Sequence, residues 1–278
     1  MARERISLKT NSEILLMREA GLITAKALEA VNDAIKPGIS TLELDSIAEE
    51  VITSLGAKSN FKLVPGYSHT ICSSINNEVV HGIPAKDRIV QPGDIVSIDC
   101  GAITNAGWNG DAAISFVVPG GAEDQIASRA ALSKACQDSL WAGIAKFASA
   151  TRLNEVGRAI EASIRNSGRY GILQDYIGHG VGRSMHEDPA VFNYQTREMG
   201  PVIENGLVIA IEPMITAGSQ RVKVLSDAWT VATVDNSDAS HWEHTVARHS
   251  AGIWVLTAED GGAAGLAPYG ITPVEPKV

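Results

Sequence analysis

The chain has 278 residues and a net charge of −9 at pH 7, with 45% hydrophobic and 20% charged residues. This balance is typical of a globular protein and excludes disorder of the whole chain. The acidic charge argues against a broad nucleic-acid-binding face and against binding to an anionic membrane surface. No apolar stretch reaches the roughly 20 residues of a membrane-spanning helix, and the N-terminal segment MARERISLKT lacks the apolar core of a secretory signal.

The three cysteines of the chain are Cys72, Cys100 and Cys136. Their odd number and their spacing argue against a disulfide framework and against a thiolate zinc site. A reducing, cytoplasmic location is therefore predicted, and any metal site is expected to use nitrogen and oxygen ligands.

Two capping boxes, Thr10 to Glu13 and Ser40 to Glu43, open the first two predicted helices, which run to about Lys36 and to Gly56. Composition and periodicity then predict further elements. In chain order these are strands at 70–75, 94–101 and 112–118, a break at Pro119–Gly121, helices to about 147 and over 151–166, and strands at 207–211, 228–234 and 245–248. The tail from Glu259 is rich in glycine and proline and is predicted to be irregular.

An internal repeat is visible in this order of elements. Residues 44–55 resemble residues 153–164, and residues 92–99 resemble residues 205–212. The alternative is chance similarity between amphipathic segments. We interpret the pattern as two related halves that meet near residues 119–121 and form one catalytic domain over 1–258, followed by a C-terminal tail at 259–278.

The second pair of repeated segments contains an apolar strand that ends in an acid, Asp99 in one half and Glu212 in the other. A carboxylate in such a strand is costly to bury unless a cation or a hydrogen-bond donor meets it. Exposure of both acids to water is the alternative. Their equivalent positions favour a cation shared between the halves.

Other potential ligands lie close to these strands in the sequence. Asp111 begins the strand after Asp99, Glu243 lies near the C-terminus, and His179 lies in a predicted glycine-rich loop. The four acids would repel one another if they were buried and ionised, and two divalent cations would neutralise them. Oxygen and imidazole ligands suit Mn, Fe(II), Co or Zn, and a pair of such ions lowers the pKa of a shared water.

Seven motifs occur in an order that identifies a family. They are NEVVHGIP at 77–84, ID at 98–99, GD at 110–111, GHGVG at 178–182, MHEDP at 185–189, IEPM at 211–214 and EHT at 243–245. In these motifs the chain resembles the type I methionine aminopeptidases of the pita-bread metallopeptidase family. The resemblance covers about residues 6–255. It implies an α/β (α+β) fold in which two pseudo-two-fold halves surround a curved, mainly antiparallel sheet with helices on its outer face.

The resemblance also implies a dinuclear metal site with five protein ligands, namely Asp99, Asp111, His179, Glu212 and Glu243. Asp99 would bind one metal, His179 and Glu212 the other, and Asp111 and Glu243 would bridge the pair. A hydroxide between the metals would attack the carbonyl of an N-terminal methionine. His241 and His244 flank Glu243, but the family pattern uses neither, so neither is predicted to be a ligand.

Further roles follow from the same resemblance. Glu212 would transfer the proton, His186 would stabilise the oxyanion and His81 would contact the substrate near the scissile amide. The substrate-binding residues would be Tyr67, Cys72, His81, Met185, His186 and Trp229. An apolar, partly sulfur-lined pocket suits a methionine thioether. Cleavage is expected when the second residue of the substrate is small.

The implied partners are N-terminal segments of nascent proteins, with the ribosome left open as a further partner. No direct nucleic-acid or membrane partner is expected, and the protein is expected to be a monomer. The sequence departs from the family pattern in three ways. Asn109 stands where histidine is frequent, Met185 stands where an aromatic residue is common, and Asp111 lies one residue further from Asp99 than is usual.

Two other functions remain open. A prolidase or an aminopeptidase P is an enzymatic alternative, although these relatives carry an extra N-terminal domain for which the chain offers no room before His69. A binding protein that has lost catalysis is the second alternative. Such proteins typically lose metal ligands, whereas all five are present in this sequence.

Overall fold

The structure is a computed structural model that describes residues 6–278. Residues 1–5, which begin the predicted domain and the segment tested for a secretory signal, lie outside the described residues. The α-helices are α1 (Asn11–Ala34), α2 (Thr41–Ser54), α3 (Glu123–Ser149), α4 (Asn154–Ser167) and α5 (Ala263–Leu266). Short 3₁₀ helices cover Phe61–Leu63 and Ala267–Tyr269. Within residues 6–278, none of the helices is long and apolar enough to cross a membrane.

The strands are mostly short and lie on both sides of the central helices α3 and α4 in the sequence. In chain order they are β1 (Lys58–Ser59), β2 (Ile71–Ile75), β3 (Glu78–Val80), β4 (Ile95–Ile103), β5 (Asn109–Val117), β6 (Gly171–Ile172), β7 (Gly178–Gly180), β8 (Glu187–Val191), β9 (Val208–Ile211), β10 (Met214–Thr216), β11 (Val222–Val224), β12 (Val231–Thr233), β13 (Ala239–His241), β14 (Glu243–His249) and β15 (Gly252–Val255).

Both predicted capping boxes are present at the helix starts. The Thr10 hydroxyl accepts a hydrogen bond from the Glu13 N–H, and the Glu13 carboxylate accepts one from the Thr10 N–H. Ser40 and Glu43 make the same reciprocal pair at the start of α2. These bonds satisfy amide groups that have no partner inside the helix, so local sequence fixes where both helices begin.

The main antiparallel sheet has the order β1-β4-β5-β14-β9-β7-β8, with β2 paired to β4 and β15 paired to β14. Strands β5 and β14 lie at its centre, and β4 and β9 flank them on either side. β4 and β9 overlap the two repeated segments, with Asp99 inside β4 and Glu212 directly after β9. The sheet therefore has the pseudo-two-fold arrangement that the repeat predicts.

The helices form two apolar cores against this sheet, one for each half. Residues of α1 and α2 pack with β4 in one cluster, and residues of α3 and α4 pack with β9, β14 and β15 in another. Cys100 lies in the first cluster, on the opposite face of β4 from Asp99, as its place in the strand predicts. This layered mixture of helices with a curved antiparallel sheet confirms the predicted pita-bread fold.

Helix α1 approaches the sheet through glycines. A Cβ atom on Gly110 would lie 2.6 Å from the Gly21 nitrogen, and a Cβ atom on Gly21 would lie 2.2 Å from the Leu256 carbonyl oxygen. Thr24 adds a hydrogen bond from its hydroxyl to the Gly110 carbonyl at 3.2 Å. The backbone of α1 therefore lies directly against the strand that carries Asp111.

Two segments are more regular than the sequence predicts. His179 lies in strand β7 and not in a loop, because Gly180 pairs with both Ile209 and Glu187. In the tail, helix α5 forms where irregular structure was expected, and Asp260 accepts hydrogen bonds from backbone amides at its start. The division between a domain at 1–258 and a tail at 259–278 remains a prediction.

Candidate metal centre and substrate pocket

Strand register places the acidic side chains on one face of the sheet. Asp99 on β4 and Glu243 on β14 both lie opposite Ala113 of β5. Directly opposed residues in antiparallel strands share a face, and so do residues two apart in one strand. Asp111 therefore faces the same side as Asp99 and Glu243. Glu212 directly follows β9, whose last residue, Ile211, pairs with the neighbour of Glu243.

One cavity of about 140 Å³ unites the predicted site. All five predicted metal ligands and all the predicted substrate-binding residues line it, together with two residues that the sequence did not indicate. The lining residues are Phe61, Val64, Tyr67, Cys72, His81, Asp99, Asp111, His179, Met185, His186, Glu212, Trp229 and Glu243. Side chains that span most of the sequence thus face one another across a small space.

The tightest cluster of potential ligands is formed by Asp111, His179 and Glu243. Each of these residues places one ligand atom within 4.8 Å of the others. Glu212 adjoins the cluster, because its Oε1 lies 3.4 Å from His179 Nε2. Asp99 lines the same cavity without belonging to this group of three.

The electrostatics of the protein alone are unfavourable at this site. Burial raises the pKa of Asp99 to about 7. Burial also raises the pKa of Asp111, Glu212 and Glu243 well above ordinary values, and charge repulsion from neighbouring acids adds to the effect. Bound cations would reverse this penalty by stabilising the ionised carboxylates.

Carboxylate oxygen atoms that lack hydrogen-bond partners also indicate that cations bind at this site. Asp99 Oδ1, Asp111 Oδ1 and Glu243 Oε1 are buried and have no hydrogen-bond partner within residues 6–278. Buried polar atoms are normally paired, so a cluster of unpaired carboxylate oxygens requires a ligand. Oxygen donors with one imidazole form a set suited to divalent ions such as Mn, Fe(II), Co or Zn. The residues present therefore fit a metal site.

The ring of His179 is held by its own backbone neighbour and points Nε2 at Glu212. Its Nδ1–H donates to the Gly180 carbonyl at 2.9 Å in the tautomer that leaves the Nε2 lone pair free. Burial lowers the pKa of His179 to about 3, and the nearby His186 contributes in the same direction. The neutral ring thus offers Nε2 toward Glu212 and the acidic cluster.

The two predicted catalytic histidines lie around the cavity without joining the acidic cluster. The rings of His186 and His179 meet edge to face, with centroids 4.3 Å apart. Burial lowers the pKa of both His81 and His186, so both are neutral near pH 7 and can each offer one N–H. His81 has a left-handed backbone with φ of 60°, a conformation that costs energy and often occurs at functional sites.

The apolar side of the cavity is an aromatic and sulfur-containing pocket. Tyr67 and Cys72 are buried with Phe61, and Met185 and Trp229 pack against them. The Tyr67 hydroxyl donates to the Ile71 carbonyl at 2.7 Å, and its ring meets Trp229 edge to face at 5.0 Å. Burial raises the pKa of the Cys72 thiol, which stays neutral and serves as an apolar wall.

Two polar residues hold the backbone of two candidate ligands, Asp111 and Glu212. The Thr245 hydroxyl donates to the Asp111 carbonyl at 2.8 Å and accepts from the Asp111 N–H at 3.1 Å. The fully buried Asn193 side chain donates to the Glu212 carbonyl at 3.0 Å. Thr245 belongs to the EHT motif, which could have indicated it, whereas the sequence gives no comparable signal for Asn193.

Asn109 connects β5, the strand of Asp111, to the loop that carries Met185. Its side-chain amide donates to the carbonyls of Gly182 and Arg183 at 3.0 and 3.1 Å, and its oxygen accepts from Asn60 at 3.2 Å. Asn109 is 2% exposed. The departure from the family pattern at this position thus forms a buried connection between two walls of the site.

Asn109→Ala is expected to lower the free energy of unfolding by about 1–3 kcal/mol, because two buried carbonyls lose their donor. The KM for a methionine peptide should rise as the Met185 loop loosens. Urea unfolding and steady-state kinetics measure both effects. Asn105→Ala, an exposed position in the same β4–β5 hairpin, is the control and should change neither. Equal stability and KM in the two variants would contradict the role of Asn109.

His244 lies away from the cavity, because successive residues of β14 face opposite sides of the sheet. Its Nδ1 lies 2.9 Å from the Thr257 hydroxyl, and its ring packs against Trp141 at 5.1 Å between centroids. His241 is 2% exposed and borders the site, with Nε2 at 3.7 Å from Glu212 Oε2. This contact is one that the sequence did not predict.

Comparison with known proteins agrees with this geometry. The model of metallopeptidase family M24 matches residues 15–249. The chain belongs to this family. It is 46% identical to methionine aminopeptidase 1 of Mycobacterium tuberculosis over 260 residues, which cover 92% of this chain and 96% of that protein. Membership of a metallopeptidase family agrees with the metal site inferred from the unpaired carboxylate oxygens.

Solved structures share the fold of this chain. The crystal structure of methionine aminopeptidase from Thermotoga maritima matches with a TM-score of 0.86 and 38% identity, covering 92% of this chain and all of that chain. Prolidase from Pyrococcus furiosus matches with a TM-score of 0.65 and 24% identity, covering 90% of this chain and 65% of that chain. The match to the prolidase shows a common fold, whereas the match to the methionine aminopeptidase includes sequence similarity as well.

Proposed function

We propose that this protein is a metal-dependent aminopeptidase that removes the initiator methionine from new polypeptides whose second residue is small. The observation that carries this proposal is one small cavity with two different walls. One wall holds five oxygen and nitrogen donors, and the other holds an apolar, sulfur-containing pocket. The relatives at 43–46% identity are methionine aminopeptidases, which supports the same activity.

Asp99, Asp111, His179, Glu212 and Glu243 would hold the metal. Two divalent ions are proposed, because four carboxylates at one site carry a charge of −4 when all are ionised. Bound there, the ions would lower the pKa of a water molecule and polarise a substrate carbonyl. Mn, Fe(II), Co and Zn all suit these ligands, so availability in the cell would decide which of them is used.

Three side chains would act on the substrate directly. Glu212 would accept a proton from water and pass it to the leaving amine, because its carboxylate lines the cavity beside His179. His186 would donate its N–H to the developing oxyanion. His81 would contact the scissile amide from another position in the cavity lining. The lowered pKa values of both histidines keep them neutral, so neither competes with the substrate amine as a cation.

Selection of methionine would come from the apolar wall. Tyr67, Cys72, Met185 and Trp229 offer an aromatic and thioether surface without a charged partner, which suits an unbranched thioether side chain. The preference for a small second residue follows from the family resemblance, and the two peptides below test it.

Hydrolysis of two peptides tests the proposal. After reconstitution with Mn(II) or Co(II), the protein should release methionine from Met-Gly-x and not from Met-Trp-x. Absence of Met-Gly-x cleavage with every divalent metal tried would refute the proposal. Comparison of Met-Ala-x with x-Pro peptides separates this activity from that of a prolidase or an aminopeptidase P.

Measurement of the metal content distinguishes the proposed enzyme from a binding protein that has lost catalysis. The chain purified without chelator should contain bound divalent ions, whereas a pure binding module should hold none. The nascent-chain substrate, the ribosome as a further partner, the cytoplasmic location and the monomeric state remain predictions. Light scattering after size exclusion tests the last of these.

A further inference from the structure

His241 is a buried histidine that the proposed catalytic machinery does not use. It ends strand β13, is 2% exposed, and its Nε2 has no hydrogen-bond partner within residues 6–278. It also lines a second cavity, of about 370 Å³, that shares Asp99, His179 and Glu212 with the first. A buried, unpaired ring nitrogen next to a reactive site requires an explanation.

The backbone of His241 is fixed by the strands that carry the metal ligands. Its N–H donates to the Ser115 hydroxyl at 3.0 Å, and its carbonyl accepts from the same hydroxyl at 2.8 Å. Ser115 in turn lies 2.7 Å from the hydroxyl of Ser97, which precedes Asp99 by two residues on the same face of β4. The backbone that carries the imidazole is therefore held by β4 and β5 together.

Glu212 lies between two imidazoles. Its Oε1 is 3.4 Å from His179 Nε2, and its Oε2 is 3.7 Å from His241 Nε2. Asn193 fixes the backbone of Glu212 from behind. Each carboxylate oxygen thus faces a different histidine, and a side-chain shift of less than about 1 Å would bring Oε2 within hydrogen-bond distance of His241.

We propose that His241 is a positioning residue that donates its Nε2–H to Glu212 Oε2 and so keeps Oε1 directed at the metal centre. This inference rests on the proposed function. His241 would act through Glu212, since it neither binds metal nor touches the substrate. Groups that orient a metal ligand in this way typically change metal affinity or activity by about 10- to 100-fold when they are removed.

Two amide substitutions distinguish this role from simple packing. In His241→Gln the side-chain amide reaches the position of Nε2, whereas in His241→Asn it reaches only the position of Nδ1. His241→Asn should lower kcat for Met-Gly-x by about 10- to 100-fold with little change in KM, and it should weaken Mn(II) binding measured by calorimetry. His241→Gln should restore both values to within about 3-fold of the wild type.

His244→Asn is the matched control, because that half-buried histidine uses Nδ1 toward Thr257 and lies outside the cavity. Its kcat and Mn(II) affinity should match those of the wild type. Wild-type values in His241→Asn would overturn the inference, and so would equal losses in His241→Asn and His241→Gln. Fewer Mn(II) ions bound to His241→Asn at saturating metal would identify His241 as a ligand and also overturn it.

The two proposals fail in different ways. If the wild-type protein does not cleave Met-Gly-x with any divalent metal, the proposed function fails. If the wild-type protein is active and His241→Asn is equally active, only the role of His241 fails. Calorimetry with Mn(II) alone gives a readout that does not depend on turnover.

Discussion

Glu212→Gln is expected to lower kcat for Met-Gly-x by about 10²- to 10⁴-fold, the range over which a general acid–base group contributes. The amide has nearly the same shape as the carboxylate but cannot take a proton from water or offer a negative charge to a cation. Because burial already raises the pKa of Glu212, a neutral side chain at this position costs the fold little. Steady-state kinetics with Mn(II) at saturation measures the loss.

Thermal unfolding separates a catalytic effect from a structural one. The Glu212→Gln protein should unfold cooperatively and close to the wild-type temperature when both are metal-free. Glu204→Gln, an exposed position just before β9, is the control and should keep the wild-type kcat. A Glu212→Gln protein with unchanged kcat would refute the proton-transfer role.

Metal-free protein is expected to lose stability as the pH rises from about 6.5 to 8.5, where the histidines are already neutral. The folded-state pKa of Asp99 is about 7, well above its unfolded value near 4. Such a group contributes its full stability below the unfolded pKa, and that contribution is lost as the pH rises through the folded pKa. The raised pKa values of Asp111, Glu212 and Glu243 act in the same direction.

Asp99→Asn isolates this effect from the histidines. His179, with its pKa lowered to about 3, makes the fold lose stability as the pH falls below about 6.5, but this loss is common to both proteins. The metal-free variant should therefore gain stability relative to the metal-free wild type as the pH rises, as measured by urea unfolding. A stability difference that does not change between pH 5 and 8.5 would contradict the prediction.

Addition of a divalent metal should reverse the loss for the wild type. A ligand that binds only the folded state stabilises it by about 2.7 kcal/mol at 100 times its Kd. At pH 8, Mn(II) should therefore raise the unfolding free energy of the wild type more than that of Asp99→Asn. Chelation of the ions should remove both this stabilisation and the peptidase activity.

Much of the scaffold could be predicted because its signals are local. The capping boxes at Thr10 and Ser40 begin their helices where expected, and the repeat ending in Asp99 and Glu212 predicts two equivalent strands. Alternation along a strand also gives the faces of Cys100 and His244. These inferences need only the period of a helix or a strand and the residue types.

The contacts around the ligands could not be predicted in the same way. The bonds from Asn109 to the loop at Gly182, and the position of His241 beside Glu212, join segments far apart in sequence. They depend on strand register and on side-chain packing, which the residue pattern does not encode locally. Strand β7 was not predicted for the same reason, because Gly180 pairs with β8 and β9, which lie further along the chain.

The contact of Gly21 with Gly110 and Leu256 has a consequence for the order of events during synthesis. Helix α1 can reach its final position only after the strand that contains Gly110 and the turn at Leu256 have formed. Its native contacts therefore join residues separated by most of the sequence. Glu243, a candidate metal ligand, is also synthesised late, since it is residue 243 of 278. A growing copy of this protein therefore acquires its reactive site only when nearly all of the chain has left the ribosomal tunnel.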